Sequence, residues 1–244
     1  MIDYAVNLVN ISKRYKVFYE APALIKSIFP FLKSPNSFDI LYALNNISMK
    51  LDYGKWYAII GRNGSGKSTL LQTIAGITTP TTGAIKVNGK ISTLLELCSG
   101  FHPELTGKEN IFLNSSIMGM SKKEVLEKFD KIIEFSELAR FIDSKIKIYS
   151  SGMFMRLGFS IAIHIDFDIF LCDEIIAVGD LKFRNKCYSK ILEFKNNNKC
   201  IVFASHDLEA VEKIADYVFW LERGSIKMQG LPSEIIPKYK SENQ

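Results

Sequence analysis

The 244-residue sequence has no uninterrupted apolar run of the ~18 residues that a bilayer-spanning helix requires. Its most apolar stretch, residues 161–172, is broken by His164, Asp166 and Asp168. Met1-Ile2-Asp3-Tyr4 offers neither the basic nor the apolar region of a secretory signal. These absences predict a chain that is soluble by itself and meets a membrane only through a partner. The four cysteines, Cys98, Cys172, Cys187 and Cys200, include no C-x-x-C pair, and the three histidines complete no zinc pattern. A reducing compartment is expected, with Cys172 reading as a small core residue inside an apolar strand. The net charge of +5 is not gathered into a basic stripe, and no aromatic stacking module accompanies it. That argues against nucleic acid as a partner; Lys122, Lys123, Lys145 and Lys147 read as solvated faces. Internal repeats and low-complexity segments are also missing.

What is present is an ordinary globular composition, 47% hydrophobic and 23% charged, in a chain long enough for a core without disulfides or metal. Within it lies Gly61-Arg62-Asn63-Gly64-Ser65-Gly66-Lys67-Ser68-Thr69, which fits the phosphate-binding pattern G-x-x-x-x-G-K-[ST]. Successive backbone N–H groups in such a loop form an anion nest. The following helix adds the positive end of its dipole, and Lys67 adds a full charge. The pattern is short, so its context decides. Lys55-Trp56-Tyr57-Ala58-Ile59-Ile60 upstream suits a buried parallel strand, and downstream Leu70, Leu71 and Ile74 share one helical face closed by Gly76. A nucleoside triphosphate is the expected guest.

Elsewhere, residues 5–18 read as a strand with a polar turn. Residues 19–41, punctuated by Pro22, Pro30 and Pro35, read as an inserted excursion with one short helix over 24–29, and residues 42–51 as a strand. A strand pair is expected at 84–95 around Asn88-Gly89. Ser121-Lys122-Lys123-Glu124 reads as a capping box opening a helix with Val125, Phe129, Ile132 and Ile133 on one face. Strands at 168–173, 200–205 and 217–222 alternate with helices at 151–163, 208–214 and 233–240. The pattern predicts an α/β fold: a P-loop core with a mostly parallel sheet, an antiparallel β subdomain, and a helical subdomain at about 108–163.

Three further elements fit the phosphate loop. Ile169-Phe170-Leu171-Cys172 places Asp173 at the carboxyl edge of a strand, where it can hold Mg²⁺ alongside the Ser68 hydroxyl. Glu174 follows and can orient and deprotonate an attacking water. A second apolar run, 200–204, ends in Ser205-His206-Asp207, so His206 can reach a terminal phosphate. Finally Tyr149-Ser150-Ser151-Gly152-Met153 precedes a helix, a second candidate anion site. One nucleotide does not need two helix N-termini from distant parts of one chain. The second is therefore expected to serve the nucleotide of a partner copy across a two-fold axis.

These elements, in this order, resemble the nucleotide-binding subunit of ABC transporters over essentially the whole chain. Residues 61–69 look like Walker A and 169–173 like Walker B. Glu174 looks like the catalytic glutamate, 149–153 like a degenerate signature motif, 177–180 like the D-loop, and His206 like the switch histidine. The resemblance implies one nucleotide-binding domain over 1–244, ATP and Mg²⁺ as ligands, and a homodimer on two copies of an integral membrane permease at the cytoplasmic face of the bacterial inner membrane. Catalysis would rest on Glu174, His206 and Lys67. ATP would be bound by residues 61–69 together with Ser150 and Gly152, with Ser68 and Asp173 on the metal.

The stretch 94–110, with Tyr149-Ser150-Ser151-Gly152-Met153 and Val178-Gly179-Asp180, resembles the polysaccharide exporters of that superfamily. These export lipid-linked O-antigen, teichoic acid or capsule chains. The resemblance also implies an aromatic stacked on adenine, for which Tyr15, Phe38 and Tyr42 are all candidates. It departs at the Q-loop, where Leu97 beside Glu96 stands in place of glutamine. The sequence ends at Gln244 soon after its closing helix, so an appended carbohydrate-binding domain is not expected. A soluble ABC ATPase, a P-loop small-molecule kinase and a non-catalytic ATP-binding scaffold remain as other readings.

Overall fold

The computed structural model describes residues 4–18, 38–95, 99–173, 180–195 and 197–243. A six-stranded sheet carries the architecture, and the order of its strands decides what meets at its edge. It consists of β3 (Trp56–Ile60), β5 (Ile91–Thr93), β6 (Ile169–Asp173), β7 (Cys200–Ala204), β8 (Tyr217–Glu222) and β9 (Ser225–Gly230), in the order β5-β6-β7-β3-β8-β9. All neighbours are parallel except β8 and β9. A second, antiparallel sheet has the order β2-β1-β4, from β1 (Tyr4–Phe18), β2 (Phe38–Asp52) and β4 (Thr82–Val87).

Successive side chains of a strand point to opposite faces, and the six-stranded sheet is buried on both. Trp56, Ala58, Ile60, Phe170, Cys172, Ile201 and Phe203 face one core. The residues between them, Tyr57, Ile59, Ile169, Leu171, Cys200 and Val202, face the other, against Leu70, Leu71 and Ile74 of α1 (Lys67–Ile74) and the apolar side of the antiparallel sheet. This two-sided burial is why 55–60, 169–172 and 200–204 are continuous apolar runs. Burial also pushes the Cys172 thiol up, as suits an inert core residue.

A third cluster holds the helices together: α2 (Gly107–Ile117), α3 (Lys122–Ser136) and α4 (Ser151–His164). Both α2 and α3 begin with a capping box, Thr106 with Glu109 and Ser121 with Glu124. Helix α4 belongs to two cores at once. Leu157 and Ile161, one turn apart, enter the helical cluster, while Phe159 and Ile163 pack on the sheet. With Phe135 of α3, which also packs against the sheet core, it mounts the helical unit on the sheet. Helices α5 (Leu181–Lys195), α6 (Leu208–Ile214) and α7 (Pro232–Asn243) complete the described chain.

Two expectations change. Residues 84–95 are not a strand pair. Strand β4 joins the antiparallel sheet, β5 joins the parallel one beside β6, and Asn88-Gly89 carries the chain between them. The link is pinned rather than turned back: the Asp168 carboxylate accepts from Lys90 N at 2.9 Å, and Gly89 (φ 109) sits against the Asp168 side chain. Residues 38–41, assigned to the excursion, belong to β2, which pairs with β1 up to Phe18–Phe38. Residues 5–18 run as one strand, with the polar turn absorbed as bulges around Asn10 at φ 51. The remainder of the excursion, with its expected helix at 24–29, lies outside the described residues.

The sheet–α5 core is a cluster of rings. Phe167, Phe170 and Phe194 have centroids 4.9–6.0 Å apart, and Phe170 is fully buried. Truncation there leaves a cavity that the sheet cannot close. Phe170→Ala is expected to lower unfolding free energy by about 3–5 kcal/mol, read from the denaturation midpoint at unchanged slope. A loss below ~1 kcal/mol would show that this core is loosely packed.

Candidate functional site

Strand β3 ends at Ile60, and the next six residues turn tightly before α1 begins at Lys67. Two glycines make the turn feasible by close approach. A Cβ on Gly61 would lie 2.3 Å from the carbonyl oxygen of Leu221 on neighbouring β8, and one on Gly66 (φ 105) 2.4 Å from that of Ala43 on β2. Ser65 N donates to Arg62 O at 3.2 Å and Leu70 N to Gly66 O at 2.9 Å. Lys67 is 7% exposed and folds back over the loop, its Nζ donating to Gly61 O (2.8 Å) and Arg62 O (3.1 Å). A cation thus lies along a turn whose backbone forms an anion nest.

The strand order brings the acid and the histidine to this loop. Strand β7 lies between β3 and β6, all three parallel, so their carboxyl ends share one edge of the sheet. Asp173 is the last residue of β6, and its Oδ2 accepts a hydrogen bond from Ser68 Oγ at 2.5 Å. His206 follows β7 by two residues and is exposed. A cavity of about 660 Å³ opens over them. Its floor is Asn63, Gly64, Gly66, Lys67, Ser68 and Thr69, with Asp173 and His206 on one side. The antiparallel sheet adds Tyr15 of β1 and Leu41, Tyr42 and Ala43 of β2 to its lining.

One hydroxyl and one carboxylate oxygen, both hard donors in contact, fit a small divalent cation that takes its other ligands from phosphate and water. Among the described residues no cluster of three or more His, Cys, Asp and Glu could enclose a metal without such help.

Ser150 and Gly152 are not part of this cavity. They line a second hollow of about 440 Å³ at the N-terminus of α4, together with Arg156 and Asp180. Ser150 caps α4, its Oγ accepting from Met153 N at 3.2 Å, and is exposed, as is Ser151. Tyr149 turns inward, its hydroxyl donating to Phe141 O at 2.7 Å, which fixes the turn to the helical cluster. Burial, ahead of the Asp143 charge, raises the pKa of that phenol. The turn therefore presents small groups and a helix N-terminus to the surface, at a hollow separate from the one over its own chain's phosphate loop.

Of the residues singled out from sequence, the structure gathers Asn63, Gly64, Gly66, Lys67, Ser68, Thr69, Asp173, His206 and Tyr15 around one cavity. Gly61, Arg62 and Ser65 shape the loop from behind, with Ser65 Oγ buried and unpartnered among the described residues. Tyr42 shares the cavity with Tyr15, whereas Phe38 is not in its wall and lies beneath the Lys16 ammonium at 4.9 Å. Glu174, the D-loop residues 177–179, and Glu96 with Leu97 lie outside the described residues. Sequence reasoning missed Leu41, Ala43 and Arg156. Leu41 belongs to a strand start assigned to the excursion, and Ala43 lies in the expected strand 42–51 with no signal of a site. The only available signal for Arg156 was a lone charge of its kind in an apolar helix.

Comparison with known proteins places this geometry in context. A family model described as ABC transporter matches residues 44–177. The O-antigen export system ATP-binding protein RfbB of Klebsiella pneumoniae is 42% identical over 244 residues, covering 98% of both chains. The protein of the same name from Myxococcus xanthus is 48% identical over 201 residues, 82% of this chain but 46% of its own, so the chain spans about half the length of that relative. The teichoic acids export ATP-binding protein TagH of Bacillus cereus is 38% identical over 98% of this chain and 43% of its own. Among solved structures, a dimeric ATP-binding cassette, MJ0796, in a post-hydrolysis state bound to ADP and Pi, superposes with a TM-score of 0.73 at 23% identity. It covers 93% of this chain and 98% of that one. At that identity the likeness speaks for the fold.

Proposed function

The chain belongs to the ABC transporter family, and from that premise we propose that it is the ATP-hydrolysing subunit of a bacterial exporter of lipid-linked polysaccharide, with lipopolysaccharide O-antigen as the cargo. The observation that carries the reading is the pairing of near-complete alignment to an O-antigen export subunit with the convergence of Lys67, Ser68, Asp173 and His206 on one cavity. An exporter ATPase of this family works as a dimer on a membrane permease. The finer reading is a homodimer on two permease copies at the cytoplasmic face of the inner membrane. Among the described residues no helix is long and apolar enough to cross a membrane, so contact with the bilayer is assigned to the permease.

In this reading the whole chain serves as one nucleotide-binding unit. Lys67 and the amides of residues 61–69 hold the phosphates of ATP, and the Tyr15 ring stacks on adenine across the cavity. Ser68 and Asp173 hold Mg²⁺, which supplies charge neutralisation between the phosphates when bound. Glu174 takes the proton of the attacking water, and His206 contacts the terminal phosphate from the end of β7. Ser150 and Gly152 contact the nucleotide held by the other protomer. A teichoic acid or capsule exporter is the second reading, favoured by relatives such as TagH.

Deletion of this coding sequence tests both. Surface polysaccharide is expected to disappear while lipid-linked glycan accumulates inside the cell, and a Lys67→Ala copy should not restore it. The sugar or polyol-phosphate composition of the accumulated glycan distinguishes O-antigen from teichoic acid. Unchanged surface polysaccharide with no internal accumulation would refute export as the function.

A further inference from the structure

We propose that Arg156 is a positioning residue for ATP turnover: its guanidinium fixes the helix end bearing Ser150 and Gly152 relative to Asp180 and the start of α5. The inference rests on the reading that Ser150 and Gly152 serve the other protomer's nucleotide.

Arg156 lies four residues after Gly152, on the same face of α4 and one turn deeper. Its side chain is 19% exposed and forks between two carboxylates. NH1 meets Glu137 Oε2 at 3.1 Å and NH2 meets Asp180 Oδ2 at 2.7 Å, while the guanidinium lies 4.7 Å over the Phe183 ring. Each carboxylate is tied further. Glu137 caps the end of α3 in a left-handed conformation (φ 61) and also accepts from Lys186 of α5 at 3.1 Å. Asp180 uses its other oxygen to accept from Phe183 N at 2.9 Å, capping the start of α5. One planar cation therefore joins three pieces: the helix with the outward turn, the end of α3, and the first turn after the segment that follows Asp173. Lysine, a single point charge, has no fork with which to span both acids.

The contribution to folding is expected to be small. Glu137 and Asp180 have side chains 38% and 62% exposed, and such pairs add little stability. Geometry is a different matter, since a displacement of about 1 Å at a reacting centre can cost about 100-fold in rate. Arg156 and Asp180 line the same hollow as Ser150 and Gly152, so release of the bridge moves the wall that faces the neighbouring nucleotide.

The test uses the Glu174→Gln protein, in which ATP is expected to drive dimer formation. Arg156→Ala and Asp180→Asn are each added to it; asparagine keeps the α5 cap and removes only the charge. Each should raise the protein concentration needed for ATP-driven dimerisation about tenfold or more, and the two together should do no worse than the stronger one. Melting temperature and ATP affinity of the dilute monomer should stay as they were, and Arg156→Lys should not restore dimerisation fully. If both variants dimerise as readily as their parent, or lose monomer ATP affinity and melting temperature in parallel, the positioning role is overturned. If Glu174→Gln itself never dimerises with ATP, the shared-nucleotide reading fails first and takes this inference with it.

Discussion

Glu174→Gln abolishes ATP turnover, leaves ATP binding intact, and causes an ATP-bound dimer to accumulate: this is the first expected result. Asp173 ends β6 with its carboxylate against Ser68 Oγ, and Glu174 is the next residue in the sequence. An amide has nearly the size and hydrogen-bonding reach of the carboxylate but cannot accept the proton of an attacking water. Loss of such a base is worth about 10²–10⁴ in rate. The groups proposed to bind the phosphates and the metal, Lys67, the loop amides, Ser68 and Asp173, are untouched by the substitution. On the proposed shared-nucleotide dimer, the triphosphate between the protomers should therefore persist, and so should the bridge. Phosphate release and size-exclusion chromatography in ATP read the two halves of this prediction. Hydrolysis within a fewfold of the parent would remove Glu174 from the chemistry; loss of hydrolysis without a dimer would keep Glu174 in the chemistry but overturn the shared-nucleotide reading.

The phosphate loop was legible because every requirement it imposes is local. A buried strand, two glycines at close approaches and a helix opening with lysine are all written within residues 55–76, and the structure places them there. Asp173 and His206 were legible for a related reason. A continuous apolar run ending in a polar residue marks a doubly buried parallel strand and its carboxyl edge. The misreadings share the opposite property. Asn88-Gly89 between two alternating segments looks like a hairpin turn. The partner that decides otherwise is Asp168, 78 residues from the Lys90 amide it accepts from. The start of β2 was lost for the same reason: its residues are mostly exposed, and only pairing with β1 makes them a strand. Arg156 shows the limit most clearly. Its charge was visible, but its partners lie 19 and 24 residues away on other elements, and no spacing rule connects them.

The second large effect concerns Gly152, where steric and electrostatic expectations diverge. A Cβ at this position meets nothing closer than Ser150 Oγ at 3.9 Å, so the chain's own fold has room for a side chain. An acid in the first turn of α4 also suits the helix dipole, which favours folding if it changes it at all. Gly152→Asp should therefore yield a stable protein with its own phosphate loop intact. If the hollow at α4 faces the neighbour's triphosphate, however, the added carboxylate stands against phosphate oxygens, and hydrolysis is lost. Lys67→Ala is expected to be inactive for the complementary reason, having lost the cation in its own loop. In a dimer that carries one copy of each, the Lys67→Ala protomer supplies an intact hollow to the intact loop of the Gly152→Asp protomer. One of the two composite sites is then wild type. An equimolar mixture of the two inactive proteins should regain activity, up to about a quarter of the wild-type level if protomers exchange at random. Steady-state phosphate release on mixing measures it directly. Wild-type turnover by Gly152→Asp alone would show that nothing charged stands opposite α4. A mixture as silent as its components would show that the two hollows do not complete one another.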